Sequence, residues 1–459
     1  MNTDTHEIRC GEQELDSDTQ AVVDWIQSNV GGSVTEVWRQ PRWRPVWFAD
    51  VDRDGERLEL CVRGDRLDTF FGFPLDHEMR FQKCLEAGGI PVPHVYGFID
   101  SPRAYVMDRI GGSNNFEGVG DEERDSVMTD YMEVLARIHA LPVESFAKAG
   151  ILRAESPDRS GIVGLKAYED AYRQSKRQPD PFLEFALGWL ARNPIDNQGR
   201  ETPIVWDSGQ FHHRDGKIAA VLDVEIGHVG DPLMDLATFR MRDTILGYGD
   251  FPRMYEHYSK ITDTPVDVYA LKYYLLAMTL TDQLAFHASL ADPPQGSDFM
   301  TNMQWCSETN LFGIETLADI LGIELAPVNE IPEPENASSG AVAHAHLVRS
   351  LRTLQTGDST TQHQVRTAFR LARHLERCDQ IGEAVVEANL DDLAPLLGKR
   401  PSTWQEGDAA LEQFVFDDWG KHDAQLVPLF HRRLHRYRML MGPPGSAMVR
   451  HNPMQPLEG

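Results

Sequence analysis

No apolar run in this sequence approaches the roughly 18 residues that a membrane-spanning helix needs. Residues 1–18 are polar and lack the apolar core of a signal peptide. The five cysteines are odd in number and show no C-x-x-C spacing, which is typical of reduced thiols and not of a disulfide framework. These absences exclude membrane-spanning and disulfide-rich secreted proteins, and we expect a cytoplasmic location.

Positive charge is also scarce, because 44 Lys and Arg residues stand against 71 Asp and Glu residues, which gives a formal net charge of −27. Such a chain repels nucleic acid and anionic membranes at long range, so we expect it to bind neither. The acidic excess could favour a cationic substrate, but an acidic surface that promotes solubility is the simpler interpretation.

The strongest local pattern lies in residues 207–242. Two β-type runs, 209–214 and 218–222, flank the turn dipeptide D-G, which predicts a β-hairpin. Asp207 precedes the first run and Asp223 ends the second, so the closed hairpin brings both carboxylates to the same edge. Paired carboxylates attract a divalent cation, and Mg²⁺ prefers one or two such oxygens together with substrate phosphates. The pattern therefore indicates phosphoryl transfer.

Two motifs in this stretch carry a family resemblance. Residues 221–225 are V-L-D-V-E, and residues 230–237 are G-D-P-L-M-D-L-A. They resemble the I-D-W-E and G-D-P-x-x-D-L-A segments of the aminoglycoside phosphotransferase and choline kinase-like family. The resemblance implies that Asp223 is the magnesium ligand, with the role of the aspartate in the D-F-G of protein kinases.

The catalytic loop departs from the family pattern, so the chain is expected to be an atypical member. The family has H-G-D-x-x-x-x-N, whose Asp receives the substrate hydroxyl and whose Asn holds metal, but residues 205–211 are V-W-D-S-G-Q-F. If Gln210 keeps the Asn register, the catalytic Asp position falls on Val205. A shortened loop instead keeps Asp207 as the base. We take Asp207 as the candidate base and Gln210 as a second candidate metal ligand.

The residues before the hairpin have the order of a kinase small lobe. A helix is predicted over 19–30 and strands over 33–39, 45–51 and 58–63. The resemblance implies that the third strand carries the cation that holds the phosphates of ATP, which is Arg63 here. It also implies that Glu78, on a helix predicted over 71–87, pairs with that cation.

The predicted phosphate-covering loop, residues 40–45 (Q-P-R-W-R-P), contains no glycine. Its backbone amides therefore cannot approach a triphosphate as those of a glycine-rich loop do. Contact with the nucleotide would come through Arg42 or Arg44. The same two side chains could instead reach the substrate or pack on an acidic neighbour, and the sequence does not choose between these alternatives.

Beyond this point the pattern is mostly helical. Residues 104–112 resemble the hinge strand, whose backbone would face adenine, and a helix over 122–140 ends near His139, which we interpret as a core residue that ties the helix to the catalytic loop. Asp235 is expected to bond amides of that loop. Helices predicted over 269–291 and 299–321 complete a large lobe that would form the substrate wall.

The resemblance ends near residue 322, and a Pro-, Glu- and Ser-containing linker follows at 326–340. Further helices are predicted over 341–354, 362–378, 381–396 and 408–441. The last contains the basic run H-R-R-L-H-R-Y-R at 431–438. This run could bind an acidic partner or a membrane surface, but docking against the acidic remainder of the same chain is the simpler interpretation.

The sequence thus predicts an α+β, protein-kinase-like two-lobed fold, with a small antiparallel-sheet lobe, a mainly helical large lobe and an appended C-terminal helical domain. The predicted units are 1–110, 111–325, the linker 326–340 and 341–459. The predicted function is ATP-dependent phosphorylation of a hydroxyl group on a small molecule with Mg²⁺. The alternative is a catalytically inactive nucleotide-binding or scaffold protein. A homo-oligomer contact through the C-terminal helical domain is also predicted.

Overall fold

The computed structural model of the chain describes residues 8–9, 15–42, 44–66 and 72–457. Phe71, where one predicted helix starts, lies outside the described residues. The strands are β1 (Ile8–Arg9), β2 (Ser33–Arg39), β3 (Val46–Arg53), β4 (Glu56–Gly64), β5 (Val95–Asp100), β6 (Arg103–Asp108), β7 (Thr202–Ile204), β8 (Phe211–Arg214), β9 (Lys217–Val221) and β10 (His228–Gly230).

Most of the remaining described chain is helical. The α-helices are α1 (Ser17–Asn29), α2 (Leu75–Ala87), α3 (Asp121–His139), α4 (Val143–Lys148), α5 (Val163–Ser175), α6 (Pro181–Arg192), α7 (Leu233–Leu246), α8 (Phe251–Thr262), α9 (Val268–Thr279), α10 (Thr281–Ala291), α11 (Phe299–Leu321), α12 (Ala341–Thr353), α13 (Ser359–Leu397), α14 (Trp404–Asp418) and α15 (Asp423–Met439). A 3-10 helix, Pro157–Ile162, precedes α5.

The first six strands form one antiparallel sheet in the order β1-β2-β3-β4-β6-β5. Asp54 and Gly55, both with positive φ (57° and 87°), make the two-residue turn between β3 and β4. Such a turn matches the twist of the strands that it joins. Helix α1 packs on β2 and β5 and contributes Val22 and Ile26 to an apolar cluster with Trp47 of β3. The small lobe therefore has a core of its own.

Helix α2 joins this lobe to a second, mainly helical one. Its Leu75 packs with Val95 and Tyr105 of the sheet, whereas Phe81 and Leu85 belong to the core of the large lobe. Within the large lobe, β8 pairs with β9 and β7 with β10, each as a two-stranded antiparallel unit. The predicted fold class, a kinase-like arrangement of a small antiparallel-sheet lobe and a helical large lobe, is confirmed.

The C-terminal helices pack directly on the large lobe. Helix α15 contacts α11, and α14 contacts α6. Phe430 of α15 stacks on Phe185 of α6 with ring centroids 5.1 Å apart, and both belong to the large-lobe core. The helices after the linker thus extend an existing core. The boundaries at 326 and 341 stay predictions, and no described helix combines the length and apolar character needed to cross a membrane.

The basic run on α15 docks on the same chain, as the simpler interpretation predicted. Arg432 and Arg436 both pair with Asp392 of α13, at 2.9 and 2.8 Å, and Arg433 pairs with Asp408 of α14. Side chains with long aliphatic stems can cover apolar surface while their charged heads are paired. The run therefore helps to hold α13, α14 and α15 together.

One predicted helix of the large lobe is wrong in its length. The helix expected over 269–291 is broken into α9 and α10 at Leu280. The hydroxyls of Thr279 and Thr281 on either side donate to the carbonyls of Leu276 and Met278, at 2.7 and 2.8 Å. Hydroxyls that bond the preceding turn compete with helical hydrogen bonds and bend helices, which accounts for the break.

Two predictions for the C-terminal helices are also corrected. Residues 362–378 and 381–396 belong to one helix, α13, because the intervening Asp379-Gln380 has neither Gly nor Pro to stop it. The helix expected over 408–441 is instead two helices. Trp419 and Gly420 have φ of 51° and 84°, and this left-handed pair ends α14. A left-handed residue directly after a helix terminates its hydrogen-bond pattern.

The shared core leads to a stability prediction. Phe430→Ala should lower the free energy of unfolding by about 3–5 kcal/mol, because it removes a buried ring that packs between α15 and α6. Chemical denaturation followed by circular dichroism measures the change. Phe416→Ala, at an exposed ring of α14 (47% exposed), is the matched control and should cost much less. Equal effects of the two substitutions would contradict a shared core.

Candidate functional site

A cavity of about 530 Å³ lies between the two lobes. The sheet contributes its roof, the chain after β6 one side, and the β8–β9 hairpin its floor. Its lining residues include Val46, Phe48, Cys61, Arg63, Glu78, Met107, Asp108, Ile110, Gln210, Phe211, Leu222, Asp223 and Arg242. Apolar side chains and a group of charged side chains around Arg63, called the charged end, line the cavity, which suits a ligand with an apolar group and an anionic group.

Cys61 of β4 and the predicted hinge also line the cavity. Burial raises the pKa of the Cys61 thiol to about 11, so this side chain is neutral at physiological pH. The N–H groups of Asp108 and Arg109 donate to the carbonyls of His94 and Glu59, at 3.0 and 2.9 Å. Those two N–H groups are therefore committed within the protein, and the predicted contact between hinge backbone and adenine stays a prediction.

Arg63 is the centre of the charged end. Its Nε lies 2.7 Å from Glu78 Oε1, as the resemblance implied, and its Nη2 donates to Asp223 and lies 3.3 Å from Glu225 Oε2. Tyr105 fixes Glu78 from the other side with a hydrogen bond of 3.1 Å. The structure thus brings together a strand cation, a helix glutamate and the first aspartate of the hairpin motif.

The electrostatic field of nearby arginines keeps the carboxyl group of Asp223 charged. Burial by itself would raise the pKa of this carboxyl, but the guanidinium groups of Arg63, Arg44 and Arg66 outweigh it and hold the pKa well below its usual range. The backbone of Asp223 is left-handed, with φ of 55°, directly after β9. A charged carboxylate at a fixed position is what a divalent cation requires of a protein ligand.

Of the two arginines in the glycine-free loop, Arg42 lines the cavity and Arg44 does not face it. Arg44 is 4% exposed, with Nη2 2.5 Å from Glu225 Oε2 and Nη1 3.5 Å from Glu78 Oε2. The structure therefore has Arg44 packed on acidic neighbours, which is one of the alternatives that the sequence left open. Arg42 keeps the position from which an anion in the cavity could be reached.

Glu225 has a part that the sequence analysis missed. Besides Arg63 and Arg44 it pairs with Arg66, whose Nη2 lies 2.8 Å from Glu225 Oε1. Burial alone would raise the pKa of Glu225, but Arg66 and Arg44 lower it below its usual range. Glu225 is the last residue of the V-L-D-V-E motif, and that motif is the signal that could have identified it. Glu225 pairs with Arg44, Arg63 and Arg66, whereas Asp223 lines the cavity.

Asp207 lies at the open end of the hairpin, as predicted. Gln210 Nε2 and Arg242 Nη2 donate to its Oδ2 at 2.9 and 2.6 Å. Burial raises the pKa of Asp207 above its usual value, although Arg242 opposes the change. Val205, the candidate of the other register, has its side chain in the large-lobe core. Of the two registers, the structure places Asp207 and not Val205 beside the other site residues.

A buried aspartate holds the loop that carries Asp207. Asp235 of α7 accepts hydrogen bonds from the amides of Val205 and Trp206, at 3.0 and 2.6 Å. Its Oδ2 also accepts from His139 Nε2 at 3.0 Å, and His139 Nδ1 lies 2.7 Å from the hydroxyl of Tyr258. The predictions that His139 ties its helix to the loop and that Asp235 bonds loop amides are both confirmed.

Trp206 is the strained point of this loop. Its φ is 63°, in the left-handed region that a bulky residue rarely adopts, and its side chain is fully buried. The family motif H-G-D has a glycine before its aspartate, a residue without this penalty. The bonds from Asp235 and the packing of the indole hold the conformation here.

Asp282, at the first turn of α10, is a further acidic group beside the site. Burial raises its pKa to about 7, and the nearby carboxylate of Asp207 adds to the change, while Arg66 and Arg242 oppose it. No motif marks Asp282 in the sequence, because it comes from a helix far along the chain. Its proximity to Asp207 puts a carboxyl that titrates near neutral pH on the large-lobe side of the site.

Comparison with known proteins confirms the resemblance over part of the chain. Residues 74–262 match the model of a phosphotransferase enzyme family. The match runs from the start of α2 to the end of α8 and contains the hairpin, but not strands β1 to β4. It supports a phosphotransferase activity for this part of the molecule.

Curated relatives are larger proteins. Acyl-CoA dehydrogenase family member 11 from Homo sapiens is 29% identical over 181 residues, which cover 36% of this chain and 23% of the human protein. The Rattus norvegicus protein of the same name is 29% identical over 219 residues, which cover 44% of this chain and 27% of the rat protein. The matched part of this chain thus spans about a quarter of the length of these relatives.

Solved structures of similar fold include the choline kinase LicA from Streptococcus pneumoniae, with 15% identity and a TM-score of 0.46, covering 65% of this chain and 98% of that chain. The macrolide 2'-phosphotransferase MphH from Brachybacterium faecium has 18% identity and a TM-score of 0.42, covering 63% of this chain and 97% of that chain. The roles of the site residues rest on the geometry of this chain alone.

The raised pKa of Asp282 gives a prediction on stability. The pKa of Asp282 is about 7 in the folded protein and 3.8 for an ordinary aspartate, so Asp282 stabilises the fold least when it is ionised. The free energy of unfolding should therefore fall as pH rises from about 4 to about 7 and change little above that range. The free energy of unfolding of Asp282→Asn should not show this fall. The thermal midpoint of the variant should therefore exceed that of wild type by a margin that grows between pH 5 and 8.

Differential scanning fluorimetry across that pH range checks the expectation. Asp292→Asn changes an exposed carboxyl just past the end of α10 and is the matched control, expected to follow the wild-type profile. Parallel profiles for Asp282→Asn and wild type would show that Asp282 does not titrate near neutral pH.

Proposed function

We propose that this chain transfers the terminal phosphoryl group of ATP to a hydroxyl group of a small molecule. One observation carries the proposal: Arg63, Glu78 and Asp223 meet in the cavity between the lobes, and Asp207 is bonded to Gln210 and Arg242, which line the same cavity. These are the three parts that phosphoryl transfer needs, namely a cation for the phosphates, oxygen ligands for a metal and a base for the acceptor.

Arg63 and Arg42 are the side chains proposed to hold the phosphates. Arg63 is fixed in direction by Glu78, and Arg42 lines the same cavity. A guanidinium presents its donors in a planar fork that can contact two phosphate oxygens at once. Two arginine side chains thereby replace the backbone amides that a glycine-rich loop would offer.

Oxygen ligands suited to Mg²⁺ lie together at the cavity. Asp223 and Gln210 both line it, and the amide of Leu222 donates to the carbonyl of Gln210 at 2.9 Å, which holds the two positions side by side. Mg²⁺ prefers carboxylate and amide oxygens that it shares with phosphates. When bound, magnesium ATP would supply the phosphoryl group and neutralise part of its charge, while Asp223 and Gln210 hold the ion.

Asp207 is the proposed base. Its two hydrogen-bond donors, Gln210 and Arg242, both reach Oδ2, so Oδ1 is the oxygen that an acceptor hydroxyl would approach. The raised pKa makes this carboxylate a better proton acceptor than an ordinary aspartate. Asp207 would orient the hydroxyl and take its proton, and most of the rate would come from positioning.

A second candidate function is a catalytically inactive nucleotide-binding or scaffold protein. Specific observations favour it: the ion pair of Arg242 with Asp207 at 2.6 Å neutralises the proposed base, and Trp206 takes the place of the family glycine in a shortened loop. The charged end of the cavity would still bind a nucleotide. The two functions differ only in what Asp207 does.

The remaining attributes are proposed with this function. The acceptor is a small molecule with a hydroxyl group, and neither nucleic acid nor a membrane is a partner, because of the acidic charge. A cytoplasmic location and a homo-oligomer contact through the C-terminal helices stay predictions.

Asp223→Ala tests nucleotide binding. Wild type should gain thermal stability with ATP only when Mg²⁺ is present, because ligand that binds the folded state raises its stability. The variant should lose this magnesium-dependent shift, since the chief protein ligand of the ion is gone. Circular dichroism of the variant must show a folded protein. If wild type shows no shift with any nucleotide, both candidate functions are wrong.

Asp207→Asn separates the enzyme from the inactive protein. It should keep the ATP affinity of wild type and lower phosphorylation of the acceptor by a factor on the order of a hundred or more. The assay follows ATP loss and phosphorylated product across a library of hydroxylated metabolites. Asp215→Asn, at the far turn of the same hairpin, is the matched control and should turn over normally.

Two outcomes would change the assignment. Wild-type turnover by Asp207→Asn would mean that Asp207 is not the base. Binding of magnesium ATP by wild type without phosphorylation of any library member would favour the inactive nucleotide-binding protein.

A further inference from the structure

Three histidines and a glutamate meet far from the cavity, where the C-terminal helices pack on the large lobe. His431 and His435 lie one turn apart on α15, so they point from the same face of the helix. Glu315 comes from α11 opposite, and His451 from the chain after α15. Helix α11 and the C-terminal segment from α15 onward, which are distant in sequence, thus deliver ligand-type side chains to one place.

The atoms of this cluster are close enough to share an ion. One carboxylate oxygen of Glu315 and one ring nitrogen from each of His431 and His435 all lie within 4.8 Å of one another. Glu315 Oε1 is 2.8 Å from His451 Nε2 and 4.0 Å from His435 Nε2. The rings of His431 and His435 have centroids 4.5 Å apart, and those of His435 and His451 5.9 Å.

The imidazoles are largely withdrawn from solvent. His431 is 7% exposed, and the side chains of His451 and His435 are 11% and 24% exposed. Within the described part of the chain, Nδ1 of His451 is buried without a hydrogen-bond partner. An imidazole nitrogen without a proton offers a lone pair to a metal ion.

We propose that Glu315, His431, His435 and His451 form a binding site for a divalent transition-metal ion of the zinc type. Imidazole nitrogens and one carboxylate are a donor set that zinc accepts, and two histidines at i, i+4 on a helix are a known way to supply half of it. Mg²⁺ prefers oxygen donors, so the ion differs from the one proposed for the cavity.

With metal–nitrogen distances of about 2.0–2.1 Å, neighbouring ligand atoms of a tetrahedral site lie about 3.3 Å apart. The ligand atoms of Glu315, His431 and His435 lie within 4.8 Å of one another, and His451 Nε2 lies 2.8 Å from Glu315 Oε1. The side chains must therefore rotate towards one another to hold an ion, with His451 entering beside Glu315. The nearby positive charge of Arg438 opposes a cation, but Arg438 lies 3.9 Å from Glu308 and donates to the carbonyl of Val449 at 3.2 Å.

Such an ion would fasten α15 and the chain that follows it to α11. Without it, that chain is linked to α11 at this place by the hydrogen bond between His451 and Glu315 and by the contact of the His451 and Phe312 rings, with centroids 5.1 Å apart. A metal that binds only the folded arrangement stabilises it by its binding free energy. Metal binding at this site does not depend on nucleotide binding or on catalysis.

The test uses the full chain without a polyhistidine tag, stripped with a chelator. Isothermal titration with Zn²⁺ should show one tight equivalent, and Co²⁺ should give the visible absorption of a tetrahedral complex. Zn²⁺ should also raise the thermal midpoint, whereas Mg²⁺ at the same concentration should not compete. His435→Ala and His451→Ala should each lose the cobalt spectrum and weaken Zn²⁺ binding by on the order of tenfold or more.

His346→Ala, at an exposed histidine of α12, is the matched control and should bind as wild type does. Because His435→Ala could impair folding, Glu315→Gln supplies a nearly isosteric second variant with the same expectation. If wild type binds no equivalent of Zn²⁺, or if His435→Ala and Glu315→Gln bind as tightly as wild type, the cluster is only a hydrogen-bonded contact and the proposal is overturned.

Discussion

The structure of the site depends on the burial of Arg63 among three carboxylates. Burial would lower the pKa of this guanidinium, but Asp223, Glu78 and Glu225 raise it, so it stays charged. Leaving one of these buried charges unpaired costs free energy of folding. The ion pairs of Arg63 therefore hold strand β4, helix α2 and the segment after β9 together. Arg63 thereby joins elements of both lobes through one side chain.

The catalytic loop is held by a second buried carboxylate. Asp235 bonds two successive loop amides and His139, so the backbone before Asp207 is fixed even though it lacks the family's histidine and glycine. This anchoring explains how a shortened loop with Trp206 in a left-handed conformation still delivers Asp207 to the hairpin's open end. Under the proposed function, Arg242 competes with the acceptor hydroxyl for the carboxylate of Asp207.

The C-terminal helices give the large lobe a second layer. Phe430 stacks on Phe185 in the common core, and the basic face of α15 pairs with Asp392 and Asp408 on α13 and α14. Apolar packing fixes where α15 lies, and the ion pairs fix its rotation. That rotation is also what presents the histidine pair on α15 to α11.

The sequence by itself determined the features that neighbours along the chain decide. The turn Asp215-Gly216, the helical periods and the V-L-D-V-E motif were enough to predict the hairpin and the two lobes. Only the tertiary structure decided that Arg44 is buried on Glu225, that Asp282 approaches Asp207, and where the long helices break. The reason is physical: turns and amphipathic periods follow from local sterics and side-chain spacing, whereas burial, pKa and the pairing of charges depend on which distant segments pack together.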